Sequence, residues 1–264
     1  MRRLAVLGRP VEHSRSPAMQ NAAFTALGLH GEWRYEAIDV APDEFERVVR
    51  SLPGQGFVGA NVTVPHKSAA LSVADEISEV VREIGAANTL VFEPGTIRAF
   101  NTDAEGFLAA LPERPAGARA LVLGAGGAAR AVAWALLREE ATVEVWNRTP
   151  LRSQHLAEDI GGAPVDEPEV SAYDLVVNST SVGLADEDPF AELPLGEEAF
   201  RDGQVVVDLV YAGGPSRLLE AAVDAGATTV DGIEILVRQG AAAFEIWTGR
   251  PPPLDAMRDG ARGG

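Results

Sequence analysis

The chain has 264 residues, of which 46% are hydrophobic and 23% charged, and its net charge is −17. This balance is typical of a folded globular protein and excludes a disordered or fibrous chain, and the length predicts two domains or one large one. The strong negative charge makes nucleic acid and an anionic membrane surface unexpected as partners.

The sequence contains no cysteine, which excludes disulfides, thiolate metal ligands and cysteine nucleophiles. The apolar run near the N-terminus, residues 4–7, is too short for a secretory signal. The four histidines are scattered without the spacing of metal ligands. We therefore expect a cytoplasmic protein without a metal site.

Short apolar runs alternate with helical segments over residues 4–100, which indicates an α/β domain. Strands are predicted at residues 4–7, 33–40 and 57–64. Ser16 followed by Pro17 predicts a helix start with Ser16 as its N-cap, and Gly28 ends that helix. Further helices are predicted at residues 42–52, 67–73 and 76–84.

The second half contains nearly continuous apolar runs at residues 120–123, 142–146, 175–177 and 205–210. Parallel strands that are buried on both faces have this pattern. Helical segments separate the runs, which predicts a Rossmann-like, doubly wound parallel sheet in a domain spanning residues 104–232. A helix capped by Thr102 or Asp103 marks its start, and a last helix is predicted at residues 233–247.

A glycine-rich turn follows the first of these runs and opens a helix. This is the context of the dinucleotide-binding fingerprint, in which glycines let backbone N–H groups approach a pyrophosphate at a helix N-terminus. The predicted cofactor contacts in the turn are Gly124, Ala125, Gly126, Gly127 and Ala128. The turn therefore predicts a bound dinucleotide.

The end of the next strand indicates which dinucleotide is bound. An NAD site normally has an acidic residue there, which accepts hydrogen bonds from the ribose hydroxyls. Here that position holds Asn147, followed by Arg148 and Thr149, with Arg152 one turn later. The two guanidinium groups favour a 2′-phosphate, and hence NADP. Two alternatives stay open: both arginines are solvated residues of a helix start, or Glu144 serves an NAD site.

Polar loops after the strands of the first domain contain the other candidate ligand-binding residues. They contain hydroxyls at a helix start, suited to a small carboxylate, and amides suited to hydroxyl groups, which together describe a polar polyol acid as ligand. Each residue taken singly has a simpler interpretation: Ser14 and Ser16 as helix caps, Asn88 and Asn101 as turn formers, and Asp103 as an N-cap.

Lys67 is different, because it is the single lysine among 22 basic residues. Arginine does not release its proton near neutral pH, whereas a lysine does so when its surroundings lower its pKa. The retention of Lys67 among arginines therefore predicts proton chemistry at this position.

These segments together resemble the shikimate dehydrogenase family, nearly from end to end. The resemblance also rests on residues 147–149, 178–183, 208–211 and 232–249. It implies reversible reduction of 3-dehydroshikimate to shikimate with NADPH, in aromatic amino-acid biosynthesis. A monomer and a homodimer both stay open.

The resemblance also implies roles for individual residues. Lys67 and Asp103 would be the catalytic pair, and the sequence leaves open which of the two is the formal acid. The implied substrate-binding residues are Ser14, Ser16, Thr63, Lys67, Asn88, Asp103, Tyr211 and Gln239. Further implied cofactor contacts are Thr180, Leu209 and Gly232. The last helix would return to the first domain, so that the α/β substrate domain comprises residues 1–103 and 233–264.

Two other functions are compatible with the sequence. One is a quinate/shikimate dehydrogenase of broad specificity, which the same scaffold supports. The other is a catalytically silent, regulatory dinucleotide-binding protein, against which the retention of both Lys67 and Asp103 argues.

Overall fold

A computed structural model describes residues 1–184, 187–211, 214 and 216–263. The chain divides into two compact units, one comprising Met1–Gly106 with Leu236–Gly264 and the other Phe107–Ile235. In the described part of the chain, no helix is long and apolar enough to cross a membrane.

The first unit is built on a mixed sheet. Its strands are β1 (Arg2–Gly8), β2 (Trp33–Asp39), β3 (Phe57–Val62), β4 (Glu76–Ile77), β5 (Thr89–Glu93) and β6 (Thr96–Phe100). Their order across the sheet is β2-β1-β3-β5-β6-β4. β1 is parallel to β2 and β3, whereas β5 is antiparallel to β3 and β6. The carboxyl ends of β1 and β3 therefore lie at the same edge of the sheet.

Helices accompany this sheet along the chain: α1 (Ser16–Ala26), α2 (Phe45–Ser51), α3 (Ala70–Val73), α4 (Glu79–Ile84) and α5 (Asp103–Ala110). One buried cluster joins the sheet to the shorter helices, and it includes Phe45 of α2, Val73 of α3 and Val81 of α4 against Leu90 of β5. Removal of these apolar side chains from water stabilises the packing of the helices on the sheet.

The second unit is built on a sheet whose paired strands are all parallel. Its strands are β7 (Arg119–Leu123), β8 (Thr142–Trp146), β9 (Ala163–Pro164), β10 (Leu175–Asn178), β11 (Val205–Asp208) and β12 (Thr228–Val230). The order is β12-β11-β10-β7-β8-β9. This is the doubly wound order, with its switch point between β7 and β10, where such sheets bind ligands. The predicted fold class is confirmed.

The helices that follow these strands are α6 (Gly127–Arg138), α7 (Pro150–Ile160), α8 (Pro189–Glu192) and α9 (Arg217–Asp224), and the chain ends with α10 (Gly232–Thr248) and α11 (Leu254–Gly263). From Leu236 onward the chain belongs to the first unit. There the indole nitrogen of Trp247 donates to the Leu90 carbonyl over 3.0 Å, and the Phe244 ring lies 5.4 Å from that of Phe24. These contacts fix α10 against β5 and α1.

Two predicted helices are wrong in part. The helix predicted at residues 67–73 begins only at Ala70, because the Lys67 carbonyl accepts the N–H of Ala87 over 2.9 Å instead of an intrahelical N–H. The helix predicted at residues 76–84 begins at Glu79. Its first residues form β4, and Ser78 is the N-cap, accepting the N–H of Val81 over 3.3 Å.

Three predicted strands are too long at their carboxyl ends, and one of them, predicted at residues 33–40, ends at Asp39. The strand at residues 57–64 ends at Val62, because Thr63 enters a turn in which its carbonyl accepts the N–H of His66. The strand at residues 205–210 ends at Asp208, since the N–H of Val210 turns back to the Asp208 carboxylate over 3.0 Å. The β5–β6 hairpin and α11 are additions that the sequence analysis did not predict.

Candidate active site

Lys67 and Asp103 form an ion pair at the edge of the first unit's sheet. Lys67 lies in the turns after β3 and Asp103 is the first residue of α5. The distance from Lys67 Nζ to Asp103 Oδ2 is 2.7 Å, and the side chains are 13% and 17% exposed. The pair is therefore largely withdrawn from water while both groups stay within reach of a small ligand.

Asn88 holds the second carboxylate oxygen of Asp103. Its Nδ2 donates to Asp103 Oδ1 over 2.9 Å, while its Oδ1 accepts the backbone N–H of Thr102 over 2.8 Å. A backbone N–H only donates and a carboxylate only accepts, so these two partners fix the orientation of the amide. Asn88 thus orients the carboxylate that faces Lys67, and turn formation does not account for it.

Gln239 of α10 joins the same cluster. Its Oε1 accepts a hydrogen bond from Asn88 Nδ2 over 3.2 Å, and its own Nε2 donates to the Leu236 carbonyl over 2.9 Å. The backbone of Gln239 lies against α5 at Gly106, where a Cβ would come within 2.5 Å of the Gln239 nitrogen. The absence of a side chain at Gly106 therefore allows α10 to bring Gln239 to Asn88.

A buried chain of polar groups continues behind Asn88, and the sequence analysis missed its role. The Tyr35 hydroxyl donates to Asn61 Oδ1 over 2.7 Å, and Asn61 Nδ2 donates to Thr89 Oγ1 over 3.1 Å. The Thr89 hydroxyl donates in turn to Asn88 Oδ1 over 3.0 Å. The available signal was a polar residue within each of the segments that form β2, β3 and β5, and that signal does not distinguish a network from solvated positions.

His66 anchors the turn that carries Lys67. The imidazole is buried, its ring stacks on Phe45 with centroids 4.5 Å apart, and Nε2 lies 2.8 Å from the Val40 carbonyl. The residue next to Lys67 is therefore fixed to α2 and to the end of β2, which limits the freedom of the lysine backbone.

The cap of α5 differs from the prediction. Among the described hydrogen bonds, neither the Thr102 nor the Asp103 side chain accepts an N–H group at the start of α5. Asn101 Oδ1 instead accepts the N–H groups of Asp103 and Ala104 over 3.0 and 3.2 Å. Asn101 thereby satisfies N–H groups at the start of the helix, and the Asp103 carboxylate is left to Lys67 and Asn88.

The serine loop before α1 also differs from the prediction, because Ser16 is not the N-cap. The N-cap position is Arg15, whose backbone is helical, with φ −79° and ψ −10°, and in the described contacts its side chain makes no capping hydrogen bond. The buried Ser16 donates its backbone N–H to Ser14 Oγ over 3.3 Å. Ser14 and Ser16 therefore lie together, and capping does not explain the Ser16 hydroxyl.

Thr63 lies at the same sheet edge, beside the end of β1. A Cβ on Gly8 would come within 2.4 Å of Thr63 Cγ2 and within 3.1 Å of the Val64 carbonyl. Gly8 therefore allows the loop after β3 to pass close to β1. Thr63 is only half-buried there.

The glycine-rich turn of the second unit lies between β7 and α6. Gly124 has φ +113°, and a Cβ on it would come within 2.8 Å of Ser179 Oγ, so glycine is required. Gly126 is the N-cap of α6, and a Cβ there would meet no atom of the described residues within 4 Å. The first N–H groups of α6, those of Gly127 and Ala128, have no acceptor within the helix, which fits a bound pyrophosphate.

The segment after β8 carries the residues predicted to select NADP. Asn147 Nδ2 donates to the Thr149 carbonyl over 3.0 Å, and Thr149 is the N-cap residue of α7. Arg148 is exposed, and its guanidinium lies 3.4 Å from the Glu192 carboxylate of α8. Arg152 is exposed on the first turn of α7. Both guanidinium groups are thus accessible to an anionic ligand.

Glu144 is engaged elsewhere, which argues against the NAD alternative. The Tyr173 hydroxyl donates to its carboxylate, and the Arg119 guanidinium lies 3.9 Å from it. Burial raises the pKa of Tyr173, and the hydrogen bond to Glu144 raises it further, so the phenol stays a donor.

The other residues predicted to bind ligands in this unit follow β10, β11 and β12. Thr180 donates its N–H and its hydroxyl to Asn178 Oδ1 over 3.1 and 2.7 Å. The N–H of Leu209 donates to the Asn178 carbonyl over 2.9 Å, and a Cβ on Gly232 would come within 2.7 Å of the Leu209 carbonyl. Tyr211 is half-buried in this unit. Thr180, Leu209 and Gly232 therefore lie at neighbouring strand ends.

Among the described residues, no group of three or more histidine, aspartate or glutamate side chains is arranged to hold a metal ion.

Comparison with known families gives matches along most of the chain. Residues 6–90 match the shikimate dehydrogenase substrate binding domain. Residues 109–185 match the shikimate / quinate 5-dehydrogenase family, and residues 232–260 match the shikimate 5′-dehydrogenase C-terminal domain.

Similar proteins cover nearly the whole chain. The shikimate dehydrogenase (NADP+) of Methanopyrus kandleri is 44% identical over 97% of this chain and 93% of its own length. That of Anaeromyxobacter sp. is 47% identical over 96% and 92%. The crystal structure of shikimate 5-dehydrogenase from Thermus thermophilus, in complex with NADP(H) and shikimate, has a TM-score of 0.91 and 43% identity, covering 100% of this chain and 99% of that one.

Proposed function

The chain belongs to the shikimate dehydrogenase family, and we propose from this premise that it reversibly reduces 3-dehydroshikimate to shikimate with NADPH. The observation that carries the proposal is the ion pair of Lys67 and Asp103, with Nζ and Oδ2 2.7 Å apart. A proton donor fixed by a carboxylate is what carbonyl reduction requires of the protein, because the cofactor supplies the hydride.

We assign the proton transfer to Lys67. Negative charge develops on the carbonyl oxygen during reduction, and the Lys67 ammonium stabilises that charge and then donates a proton to the oxygen. Asp103 holds the ammonium in place and accepts a hydrogen bond from a substrate hydroxyl. In the reverse direction the neutral amine of Lys67 takes the proton from the C3 hydroxyl of shikimate.

The remaining polar groups of the first unit are proposed to hold the substrate. Ser14 and Ser16 would donate their hydroxyls to its carboxylate, and the buried position of Ser16 makes such bonds stronger than in water. Asn88 and Gln239, which contact each other over 3.2 Å, would bind ring hydroxyls. Thr63, together with Tyr211 of the second unit, completes the proposed set of substrate-binding residues.

In the second unit the turn from Gly124 to Ala128 is proposed to hold the pyrophosphate through N–H groups at the start of α6. Arg148 and Arg152 would bind the 2′-phosphate, and Asn147 and Thr149 the adenosine ribose. Thr180, Leu209 and Gly232 are proposed to line the nicotinamide half. The open N-terminus of α6 and the two exposed guanidinium groups support this assignment.

The test is a set of initial-rate measurements with shikimate and quinate, each with NADP+ and NAD+. We expect the highest kcat/KM for shikimate with NADP+. Comparable kcat/KM for quinate would indicate a broad-specificity enzyme. NADP+ binding without turnover would indicate a silent dinucleotide-binding protein and refute the proposal. We also propose a cytoplasmic location, since the reaction needs a supply of NADPH. The oligomeric state is a separate question, and sedimentation would distinguish a monomer from a homodimer.

A further inference from the structure

Two buried polar side chains meet at the carboxyl ends of β10 and β11. Asn178 and Asp208 are the last residues of these strands and are register partners in the sheet. Their exposed fractions are 0% and 1%. Asn178 Nδ2 donates to Asp208 Oδ1 over 2.9 Å.

Asp208 ties together three parts of the second unit. Besides Asn178, its Oδ1 accepts the N–H of Val210 over 3.0 Å, and its Oδ2 accepts the Ser216 hydroxyl over 2.6 Å. Ser216 in turn caps α9, accepting the N–H of Leu219 over 3.3 Å. The carboxylate therefore fixes the strand end, the residue before Tyr211 and the start of the next helix.

Asn178 extends the network to the loop after β10. Its Oδ1 accepts both the N–H and the hydroxyl of Thr180, and Thr180 Oγ1 accepts the N–H of Val182 over 3.1 Å. One connected set of hydrogen bonds therefore fixes Thr180 on one strand end and the backbone beside Leu209 on the next.

We propose that Asp208, acting through Asn178, is a positioning residue for the nicotinamide half of the dinucleotide. The inference rests on the proposed function. A doubly wound sheet binds one half of a dinucleotide over the strands on one side of the switch point and the other half over the strands on the other side. The arginines assigned to the 2′-phosphate follow β8. The adenosine half therefore lies over β7 and β8, which leaves the ends of β10 and β11 for the nicotinamide half.

Stability alone is a poor explanation for a carboxylate at this position. Its three hydrogen-bond partners are uncharged groups, so no cation in that set offsets the loss of hydration. Burial raises the pKa of Asp208, and the hydrogen bonds from Ser216, Val210 and Asn178 oppose that rise. Because the carboxylate is costly to bury and accepts three hydrogen bonds, its presence is better explained by the strand ends and loops that it positions.

The test compares Asp208→Ala with wild type in two binding measurements and one kinetic measurement. We expect the Kd for NADP+ to rise roughly 10-fold or more and kcat to fall by a similar factor, because up to three hydrogen bonds to a charged group are lost. The Kd for adenosine 2′,5′-bisphosphate, which lacks nicotinamide, should stay within about twofold of the wild-type value. Asp208→Asn keeps acceptor oxygen for Asn178 and Val210 and should recover most of the NADP+ affinity.

Gln204 offers a matched control at the amino end of the same strand. It is 0% exposed, donates to the carbonyls of Val170 and Tyr173 over 2.8 Å each, and accepts the N–H of Arg201. Gln204→Ala therefore also removes three buried hydrogen bonds. We expect a lower Tm in both alanine variants and a changed Kd for NADP+ only in Asp208→Ala.

If Asp208→Ala does not fold, Ser216→Ala removes one of the three bonds, with an expected fall in kcat/KM of roughly 3- to 10-fold. Ser78→Ala, which removes the cap of α4, is its control and should leave kcat/KM unchanged. Wild-type kinetics in the Asp208 or Ser216 variants would overturn the inference, as would equal losses of NADP+ and bisphosphate binding. A wild type that binds NADP+ but does not oxidise shikimate would instead overturn the proposed reaction.

Discussion

The ammonium of Lys67 lies 2.7 Å from one carboxylate oxygen of Asp103, and the amide of Asn88 lies 2.9 Å from the other. Asp103, which orients Lys67, is therefore itself held by Asn88 through its other carboxylate oxygen. Because both charged side chains are largely buried, loss of either one would leave the other without its counter-ion in a poorly solvated place. The pair behaves as one unit, and single substitutions within it should be far from additive.

Ser16→Ala separates ligand binding from helix capping. Since the Ser16 side chain does not cap α1, we expect the Tm to change little. The KM for shikimate should rise roughly 10- to 100-fold, because a hydrogen bond to a charged carboxylate contributes about 1.5 to 3 kcal/mol. Ser14→Ala is the matched variant, and it should also lower the Tm because Ser14 Oγ accepts the Ser16 N–H. A lowered Tm with unchanged KM in Ser16→Ala would contradict the assignment.

Arg148→Ala tests the choice of cofactor. We expect kcat/KM with NADP+ to fall roughly 10- to 100-fold and that with NAD+ to change little, since only NADP+ carries the 2′-phosphate. Arg217→Ala is a suitable control, because Arg217 is also exposed and paired with acidic groups, Asp188 and Glu197. Equal losses with both cofactors would mean that Arg148 is structural.

Gly106→Ala tests the contact that places Gln239. The added methyl group would come within 2.5 Å of the Gln239 backbone nitrogen, so α10 must shift away from α5. We expect a lower Tm and a several-fold rise in the KM for shikimate. Gly31→Ala is the control, since its methyl group would meet no described atom within 4 Å. If Gly106→Ala shows wild-type KM and Tm, this contact does not position Gln239.

The pH dependence of stability tests the burial of Asp208. Its pKa in the folded protein lies above the ordinary value of 3.8, so the folded state holds this proton more tightly than the unfolded chain does. The free energy of unfolding, wild type minus Asp208→Asn, should therefore fall as the pH rises above about 3.8 and level off above the raised pKa. Urea unfolding at a series of pH values measures it. A difference that grows with pH would contradict the prediction.

The parallel sheet of the second unit was predictable because β7, β10 and β11 are buried on both faces and therefore appear as nearly continuous apolar runs. The turn at Gly124 was also predictable, because the strand before it, the glycines and the helix after it are adjacent in the sequence. The helix start at Ser16 was not, although Ser16-Pro17 fits the capping pattern. Arg15 adopts helical backbone angles there, which moves the N-cap one residue earlier.

The hydrogen-bond network of the site was beyond sequence analysis for a different reason. The orientation of the Asn88 amide depends on Thr102 and Asp103, and the Tyr35–Asn61 contact joins two separate strands. Similarly, the close approach of Gly106 to Gln239 depends on how α10 packs on α5. Such long-range pairings are set by packing, and local pattern carries no signal for them.

The central claim is that Lys67 transfers the proton, and Lys67→Arg tests it most directly. The variant keeps the positive charge beside Asp103 but replaces the compact ammonium proposed as the proton donor with a guanidinium, which does not release its proton near neutral pH. We predict that kcat for reduction of 3-dehydroshikimate falls roughly 10²- to 10⁴-fold while the Kd for NADPH stays unchanged. Arg47→Lys, the reverse exchange at an exposed position of the same unit, should retain wild-type kcat. A Lys67→Arg variant with a kcat near that of the wild type would contradict the account.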